Sequence, residues 1–290
     1  MIRSLEIAAG AAELLLRPAA LVSRSQAQGR VLRETRHRPW PVPRGPWLMA
    51  QTWENLLFAH WPVAPEKLRP LLPEAVPLDL RDGTAWVGVT PFRVGALRLR
   101  GTPHVRGVTA FPELNVRTYT TIDGKPGIWF MSLDAASAVA VAAARRAYRL
   151  PYFRADMEVR ASGSAIDYRS RRVSSDGPPA ELEGRYRPVG PLIPPAPGSL
   201  EHWLTERYCL YTLDDRGRLL CAEIHHPPWP LMPAEARFER NTMAEPYGLN
   251  LQSPPALLHF AARQDVLIWP LVAARPAPTG LRRDGRGSNG

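Results

Sequence analysis

SAVAVAAARRAYRLPYFRADM, residues 137–157, joins the one convincing helix of the chain to a strand through a proline. The helix is predicted over residues 136–148, and its many alanines let it lie close against a sheet. Pro151 marks the end of the helical segment, because the residue before a proline is biased away from helical geometry. A hairpin that turns near residues 162–164 comes next. The stretch therefore predicts one helix packed on a sheet of hairpins.

Further hairpin signals flank this stretch on both sides. Asp82-Gly83 lies between two β-rich runs, and residues 123–127, DGKPG, separate two more. Residues 214–217, DDRG, mark a later turn, and Ser199 is a typical N-cap for a short helix, LEHWLTER. Serial hairpins with few helices predict a mainly β (α+β) fold, a closed or nearly closed antiparallel barrel with a few packed helices.

The positive charge is concentrated at the two ends of the chain. The net charge is +10, and residues 1–45 hold eight arginines against three glutamates, while residues 273–290 hold four arginines against one aspartate. We therefore expect an N-terminal arm over residues 1–46, partly helical or disordered, a folded domain over 47–272 and a disordered basic tail over 273–290. Since the domain itself is nearly neutral, nucleic acid is not expected as a partner.

Composition also restricts the cellular setting. No run of about 18 uncharged apolar residues occurs, so no transmembrane segment is expected. Charged residues such as Glu6 and Glu13 interrupt the apolar N-terminus, which fits a secretory signal poorly. Cys209 and Cys221 are too few for a disulfide framework, so a cytoplasmic location is expected. No glycine-rich dinucleotide or P-loop motif occurs, so no cofactor is predicted, and an oligomer is compatible with the sequence.

Several segments, in order and spacing, carry a family resemblance. They are WPVAPEKLRPLLP, AWVGVTPFRV, FPELNVRTYT, GIWFMSLDA, AARRAYRLPYFRADM, HHPPWPLMP and HFAARQDVLIWPL. Together they resemble the YqjF-like family of bacterial proteins, a domain-of-unknown-function family, over about residues 47–271. That family is similar, more distantly, to the acetoacetate decarboxylase superfamily, which implies a cone-like antiparallel barrel with a buried pocket.

The resemblance also implies positions for pocket residues. The decarboxylases carry a pocket glutamate on a strand, an arginine-bearing helix and a lysine that forms a Schiff base just after a proline. On this sequence the glutamate corresponds to Glu113, the arginine to Arg145 or Arg146, and the proline to Pro151. The Schiff-base lysine corresponds to Tyr152, so the reactive amine of the decarboxylases is replaced by a phenol.

This replacement decides which chemistry we expect. A tyrosine cannot form an imine, whereas the decarboxylases need a desolvated amine that is neutral near pH 7. The chain holds two other lysines, Lys67 on a short predicted helix and Lys125 in the DGKPG turn, and both are expected to be exposed. We therefore predict no Schiff-base decarboxylase activity, and whether the protein is an enzyme stays open.

The predicted pocket residues suit a small carboxylate or carbonyl ligand. Strand alternation places Glu113 and Arg117 on one face, about 13 Å apart by strand rise. Arginine suits bidentate binding of a carboxylate, and a shielded carboxyl group has a raised pKa. The predicted ligand-binding residues are Glu113, Arg117, Arg145, Arg146 and Tyr152, with Glu113 and Tyr152 as candidate catalytic residues.

Structural interpretations of these residues also remain open. Arg145 could form a salt bridge to Glu113 or Asp134 and only hold the helix to the sheet. Tyr152 could be an aromatic wall with a satisfied hydroxyl group. The alternative function is then a structural or protein-interaction domain with a filled barrel and no ligand.

The histidines near HHPPWP do not predict a metal site. Glu223 and His225 share a strand face, but adjacent His226 points to the opposite face, and zinc catalysis needs three ligands. We predict no metal, and we interpret this segment as a rigid strand exit whose Trp229 packs on the barrel.

Overall fold

The structure is a computed structural model that describes residues 28–102 and 110–274 of the 290-residue chain. The predictions for residues 1–27 and 275–290, a helical or disordered arm and a disordered tail, lie outside the described residues. None of the helices in the described part has the length and apolar character needed to cross a membrane.

Strands dominate the described part of the chain. They are β1 (Met49–Val63), β2 (Ala85–Leu99), β3 (Phe111–Ile122), β4 (Lys125–Ala135), β5 (Tyr152–Ser162), β6 (Ala165–Arg172), β7 (Glu181–Pro188), β8 (Cys209–Leu213), β9 (Leu219–His225), β10 (Met232–Asn241), β11 (Leu257–Ile268) and β12 (Val272–Ala273). The α-helices are α1 (Pro65–Leu68), α2 (Ala138–Tyr148) and α3 (Leu200–Thr205), and short 3₁₀ turns span Val31–Arg33, Arg69–Leu71 and Glu245–Tyr247.

The strands form one twelve-stranded sheet that closes on itself. Its order is β12-β9-β8-β4-β3-β2-β1-β11-β10-β7-β6-β5, with additional pairings β9–β11 and β4–β5. The β9–β11 pairing closes a ring of seven strands, β1, β2, β3, β4, β8, β9 and β11. Most pairs are antiparallel, but β4 pairs in parallel with β5 and β8. The prediction of a mainly β fold with a ring-like sheet and few helices is confirmed.

Turn chemistry explains why neighbouring strands fold back. Between β3 and β4, Asp123 and Gly124 both have positive φ, as a two-residue type I′ turn requires, and Ile122 pairs with Lys125. The predicted turns at 162–164 and 214–217 also join paired strands. The Asp82-Gly83 turn differs from the prediction: it forms only an isolated bridge between Arg81 and Thr84, because no strand precedes it.

The two faces of β3 have different surroundings. Leu114 and Val116 pack in a buried apolar core that includes Ile166 and Leu182 from the layer of β5, β6, β7 and β10. The odd-numbered residues point to the interior of the seven-strand ring. The alternation of β3 therefore separates a packed core from the volume that holds the candidate site.

Helix α2 packs against β4 and β5, in line with the close packing on a sheet that its alanine-rich sequence predicts. Ser137 caps its N-terminus by accepting a hydrogen bond from the Ala140 amide at 3.2 Å. At its C-terminus, Arg149 adopts the left-handed conformation, with φ of 52°. This αL residue ends the helix and turns the chain towards Pro151 and β5.

Residues 28–46, which the sequence predicts as part of an arm, pack against the ring. Val31 is buried with Trp47, and Arg38 forms a salt bridge of 2.8 Å with Glu223 on β9. Ser199 caps α3 as predicted, accepting a hydrogen bond from the His202 amide.

Candidate functional site

A cavity of about 250 Å³ lies within the seven-strand ring, beside α2. Each strand of the ring contributes to its lining, in chain order Met49, Phe92, Glu113, Phe130, Leu210, Ile224 and Ile268. Helix α2 adds small alanine side chains, and most of the lining is apolar. The volume suits a small, largely apolar molecule rather than a macromolecular segment.

The strand register orders the lining residues from the mouth inward. Leu99 and Val139 line the cavity yet are 48% and 62% exposed, so they mark its mouth. Leu99 ends β2, whereas Phe92, seven residues earlier, pairs with Glu113 and Gly88 pairs with Arg117. Glu113 therefore lies nearer the mouth, and Arg117 lies deeper along the same strand face.

Glu113 and Tyr152 form a buried pair in the cavity wall. The Tyr152 hydroxyl donates to the Glu113 carboxyl group, at 3.1 Å from Oε1 and 3.2 Å from Oε2. Burial raises the pKa of Glu113 to about 8, although the hydrogen bond from Tyr152 lowers it in part. Burial and the nearby Glu113 also raise the pKa of Tyr152 well above its ordinary value. At neutral pH the pair is thus a carboxylic acid and a neutral phenol.

Backbone contacts fix Tyr152 at this place. The parallel pairing of β4 and β5 sets Tyr152 beside Leu133. The Arg145 Nε atom donates to the Tyr152 carbonyl oxygen at 2.6 Å, while its Nη1 atom reaches Asp176 at the same distance. Arg145 therefore positions the backbone of Tyr152 from outside the cavity.

The structure does not bring Arg145 and Arg146 into the cavity with the other predicted residues. Arg146 is exposed on α2, and neither arginine lines the cavity. The predicted salt bridge from Arg145 to Asp134 is not formed either, because Asp134 pairs with Arg172 at 2.7 Å. The helix turns these guanidinium groups outward, because its alanine face is the one that packs on the ring.

Arg117 lines the deep part of the cavity, as the strand alternation predicts. It is 6% exposed, and its guanidinium carbon lies 5.1 Å from the Phe58 ring centroid and 5.9 Å from that of Tyr119. Among the described residues, its Nε and Nη2 atoms have no hydrogen-bond partner. Arg117 thus presents unsatisfied donors at the deep end of the cavity.

Arg207 is a second buried arginine in the lining, and the sequence reasoning missed it. It follows α3, donates from Nε to the Trp203 carbonyl at 2.6 Å and pairs with Asp79 at 2.7 Å. Asp79 is 128 residues away in sequence, so no local motif indicates this contact. The sequence signal is limited to an arginine just after a short capped helix.

Trp229 also lines the cavity and is buried, as the strand-exit interpretation predicts. Its ring stacks on Trp53 at 6.0 Å and meets Phe58 edge-on at 4.8 Å. Trp53 and Trp229 both line the cavity, so these indole rings belong to its apolar wall.

Neither lysine of the sequence lines the cavity. Lys67 is exposed on α1, and Lys125 pairs with Glu223 at 2.7 Å. Partial burial alone would lower the pKa of Lys125, but the hydrogen bond and charge of Glu223 raise it above its ordinary value overall. A lysine held in its charged form cannot attack a carbonyl group.

The described residues contain no group of three or more His, Cys, Asp or Glu side chains placed to hold a metal ion. Glu223 is engaged by Arg38 and Lys125, and the His225 Nε2 atom lies 2.9 Å from the Val31 carbonyl oxygen. Cys209 and Cys221 are both buried and free.

Comparisons with known proteins show one similar sequence and several similar folds. The uncharacterized protein YqjF of Bacillus subtilis (strain 168) is 48% identical over 230 residues, which are 79% of this chain and 94% of that protein. Among solved structures, an acetoacetate decarboxylase from Legionella pneumophila has 13% identity and a TM-score of 0.54, covering 84% of this chain and 96% of its own. The enduracididine biosynthesis enzyme MppR complexed with pyruvate has 12% identity and a TM-score of 0.53, covering 83% and 94%.

The structural neighbours show an acetoacetate decarboxylase-like fold, and at these identities they show the fold alone. One protein family matches the sequence over residues 50–265, which is most of the chain. The chain therefore belongs to the DUF2071 family of uncharacterized conserved proteins.

Proposed function

We propose that this protein binds a small organic acid or carbonyl compound in the ring cavity, without Schiff-base chemistry. The observation that carries the proposal is the Glu113–Tyr152 pair, a buried acid and phenol in the wall of a mostly apolar cavity of about 250 Å³. Buried polar groups of this kind fix the orientation of a ligand that apolar walls hold.

The pair supports acid–base chemistry on such a ligand. With a pKa of about 8, Glu113 is protonated at neutral pH and close enough to its pKa to exchange a proton. Tyr152, whose pKa is raised, stays protonated, and its single O–H can turn from Glu113 to a ligand carbonyl oxygen, so it acts as a hydrogen-bond donor rather than as a base. This assignment gives the two residues different roles in one site, donor and acid.

Several observations support the absence of imine chemistry. Tyr152 stands at the position that the resemblance assigns to the lysine, and both lysines of the chain lie outside the cavity lining. MppR, which is described in complex with pyruvate, has a similar fold. A small oxo acid is therefore a reasonable class of ligand, bound here through hydrogen bonds and charge alone.

Borohydride trapping tests the imine claim directly. The wild-type protein, incubated with acetoacetate or pyruvate and sodium borohydride, is expected to gain no mass by intact mass spectrometry. The Tyr152→Lys variant serves as a positive control, because it places an amine beside Glu113. A covalent adduct on the wild-type chain would contradict the proposal.

A ligand screen tests binding itself. Small oxo and hydroxy acids are expected to raise the melting temperature of the wild-type protein, because a ligand that binds only the folded state stabilises it. Turnover of a stabilising compound indicates an enzyme, and stabilisation without turnover indicates a binding protein. The open cavity counts against the alternative of a filled ring without a ligand, and that alternative predicts no stabilisation by any compound.

A further inference from the structure

Two buried arginines share the deep end of the cavity. Arg117 and Arg207 both line it, and they are 6% and 2% exposed. Their guanidinium carbons lie 5.9 and 5.1 Å from the centroid of the same ring, that of Tyr119. Both guanidinium groups therefore approach the same aromatic ring, which places them in one region of the cavity lining.

The hydrogen bonds of these arginines are incomplete. Arg207 uses Nε on the Trp203 carbonyl and Nη1 on Asp79, but its Nη2 atom has no partner among the described residues. The Nε and Nη2 atoms of Arg117 are likewise buried without a partner in that part of the chain. Buried donors are nearly always satisfied in proteins, so three open guanidinium nitrogens in one cavity indicate a missing acceptor.

The charges around the pair do not balance. Asp79 pairs with Arg207, and no carboxylate of the described residues forms a salt bridge with Arg117. His60 does not add a further positive charge, since burial, Arg117 and His259 hold its pKa well below the ordinary value, and it contacts the Tyr119 hydroxyl at 2.7 Å. The deep end therefore carries an excess of one positive charge, which a monoanion would neutralise.

We infer that Arg117 and Arg207 form a carboxylate-binding site, and that the ligand is a monocarboxylic acid with an extended apolar body. This inference rests on the proposed function, whose ligand class it narrows. Guanidinium groups bind carboxylates in a bidentate manner. The apolar walls suit a hydrocarbon chain that runs from the arginines, past Glu113 and Tyr152, to the mouth at Leu99.

The spacing along β3 sets the length of this acid. The Cα atoms of Glu113 and Arg117 are four positions apart, about 13 Å along the strand. A short 3-oxo acid such as acetoacetate is too small to contact both ends at once. A medium-chain acid spans the distance, and an oxygen substituent well away from its carboxylate would meet the Glu113–Tyr152 pair. Because Glu113 is protonated at neutral pH, it does not repel the bound anion.

Calorimetric titration of the full-length protein tests the inference with octanoate, its neutral isostere octanamide, and butyrate. We expect octanoate to bind at least tenfold more tightly than octanamide, because a charge-assisted hydrogen bond is worth about a factor of ten or more. Butyrate, which reaches the arginines but leaves the mouth empty, is expected to bind more weakly than octanoate.

The Arg117→Met variant isolates the charge, because Arg117 forms no described salt bridge and methionine preserves an unbranched side chain. It is expected to weaken octanoate binding at least tenfold and to leave octanamide binding within twofold. Arg187→Gln, which breaks an exposed pair with Glu235 on β7 and β10, is the matched control and is expected to change neither. Arg207→Gln repeats the test, with circular dichroism to check its fold, because Arg207 also pairs with Asp79.

The outcomes separate the inference from the proposed function. Equal binding of octanoate and octanamide, or unchanged octanoate binding by Arg117→Met, overturns the carboxylate site but leaves a cavity that binds ligands. If no probe and no compound of the ligand screen binds the wild-type protein, the proposed function is wrong and the inference fails with it.

Discussion

Arg172 and Arg117 are both buried in this protein, but their surroundings differ. Arg172 and Asp134 are completely buried, with Arg172 Nε and Nη2 bonded to Asp134 and Nη1 to the Pro178 carbonyl at 3.1 Å. The Phe153 ring centroid lies 4.1 Å from its guanidinium carbon. Arg117 has a similar degree of burial but keeps Nε and Nη2 unsatisfied at the cavity.

The difference separates a structural arginine from one available to a ligand. A buried ion pair in which every guanidinium nitrogen has a partner holds elements together, here β4 to β6. A buried arginine with open donors stores a desolvation cost that a ligand can relieve. Burial alone therefore does not identify a binding residue, and the hydrogen-bond partners of each nitrogen must be compared.

The largest expected effect on stability comes from breaking the Arg172–Asp134 ion pair. Arg172→Leu leaves the Asp134 carboxylate buried without its cation, which typically costs about 3–5 kcal/mol of stability. Urea unfolding at pH 7 is expected to show this loss. Burial raises the pKa of Asp134 while Arg172 lowers it, so the variant is also expected to raise that pKa further. A loss similar to that of Arg187→Gln, below about 1 kcal/mol, would contradict a structural role.

Glu113→Gln is expected to raise the free energy of unfolding, in contrast to Arg172→Leu, and by an amount that depends on pH. Because the folded protein raises the pKa of Glu113 from an ordinary 4.5 to about 8, folding favours the protonated acid, and stability is lost as pH rises through this range. Glutamine remains neutral, so the variant is expected to exceed wild type by about 1.4 kcal/mol per pH unit above 4.5, or about 3 kcal/mol at pH 7. Paired unfolding curves from pH 4 to 9 measure the difference, and a constant difference would refute the raised pKa.

Arg117→Met sharpens the comparison with Arg172 most directly. Removing an arginine whose donors are open is expected to leave stability unchanged or to raise it by about 1–2 kcal/mol, since the buried cation gives way to an apolar side chain. Thermal unfolding without ligand provides the measurement. Destabilisation as large as that of Arg172→Leu would show that Arg117 is structural.

Tyr152→Phe is expected to change stability least among these variants. It removes one hydrogen bond to Glu113, worth about 1 kcal/mol of stability. Since that bond lowers the pKa of Glu113, the variant is expected to raise it above 8. A carbon-13 NMR titration of the Glu113 carboxyl group would measure this, and a pKa that falls would contradict the hydrogen-bond geometry.

Much of the fold follows from local sequence. Asp123-Gly124 supplies the two positive φ angles of a hairpin turn, Ser199 caps α3 as predicted, and Ser137 caps α2, which begins two residues after the predicted start at 136. These features depend on residues within a few positions of each other, so a single sequence contains the information. The same holds for the placement of Glu113 and Arg117 on one strand face.

The candidate site was predictable only in part. Tyr152 and Glu113 meet as the family resemblance implies, but the direction of Arg145 depends on which face of α2 packs on the ring. The approach of Arg207 to the cavity depends on Asp79, far away in the chain. Local patterns cannot specify such contacts, because they arise from the closure of the whole sheet.

The sequence by itself thus determined most of the hairpin turns, the two longer helices and the absence of an amine at position 152. Only the tertiary structure decided which arginines are satisfied and which face the cavity. The physical reason is that side-chain alternation and turn geometry are properties of neighbouring residues, whereas burial and hydrogen-bond satisfaction depend on every element packed around an atom.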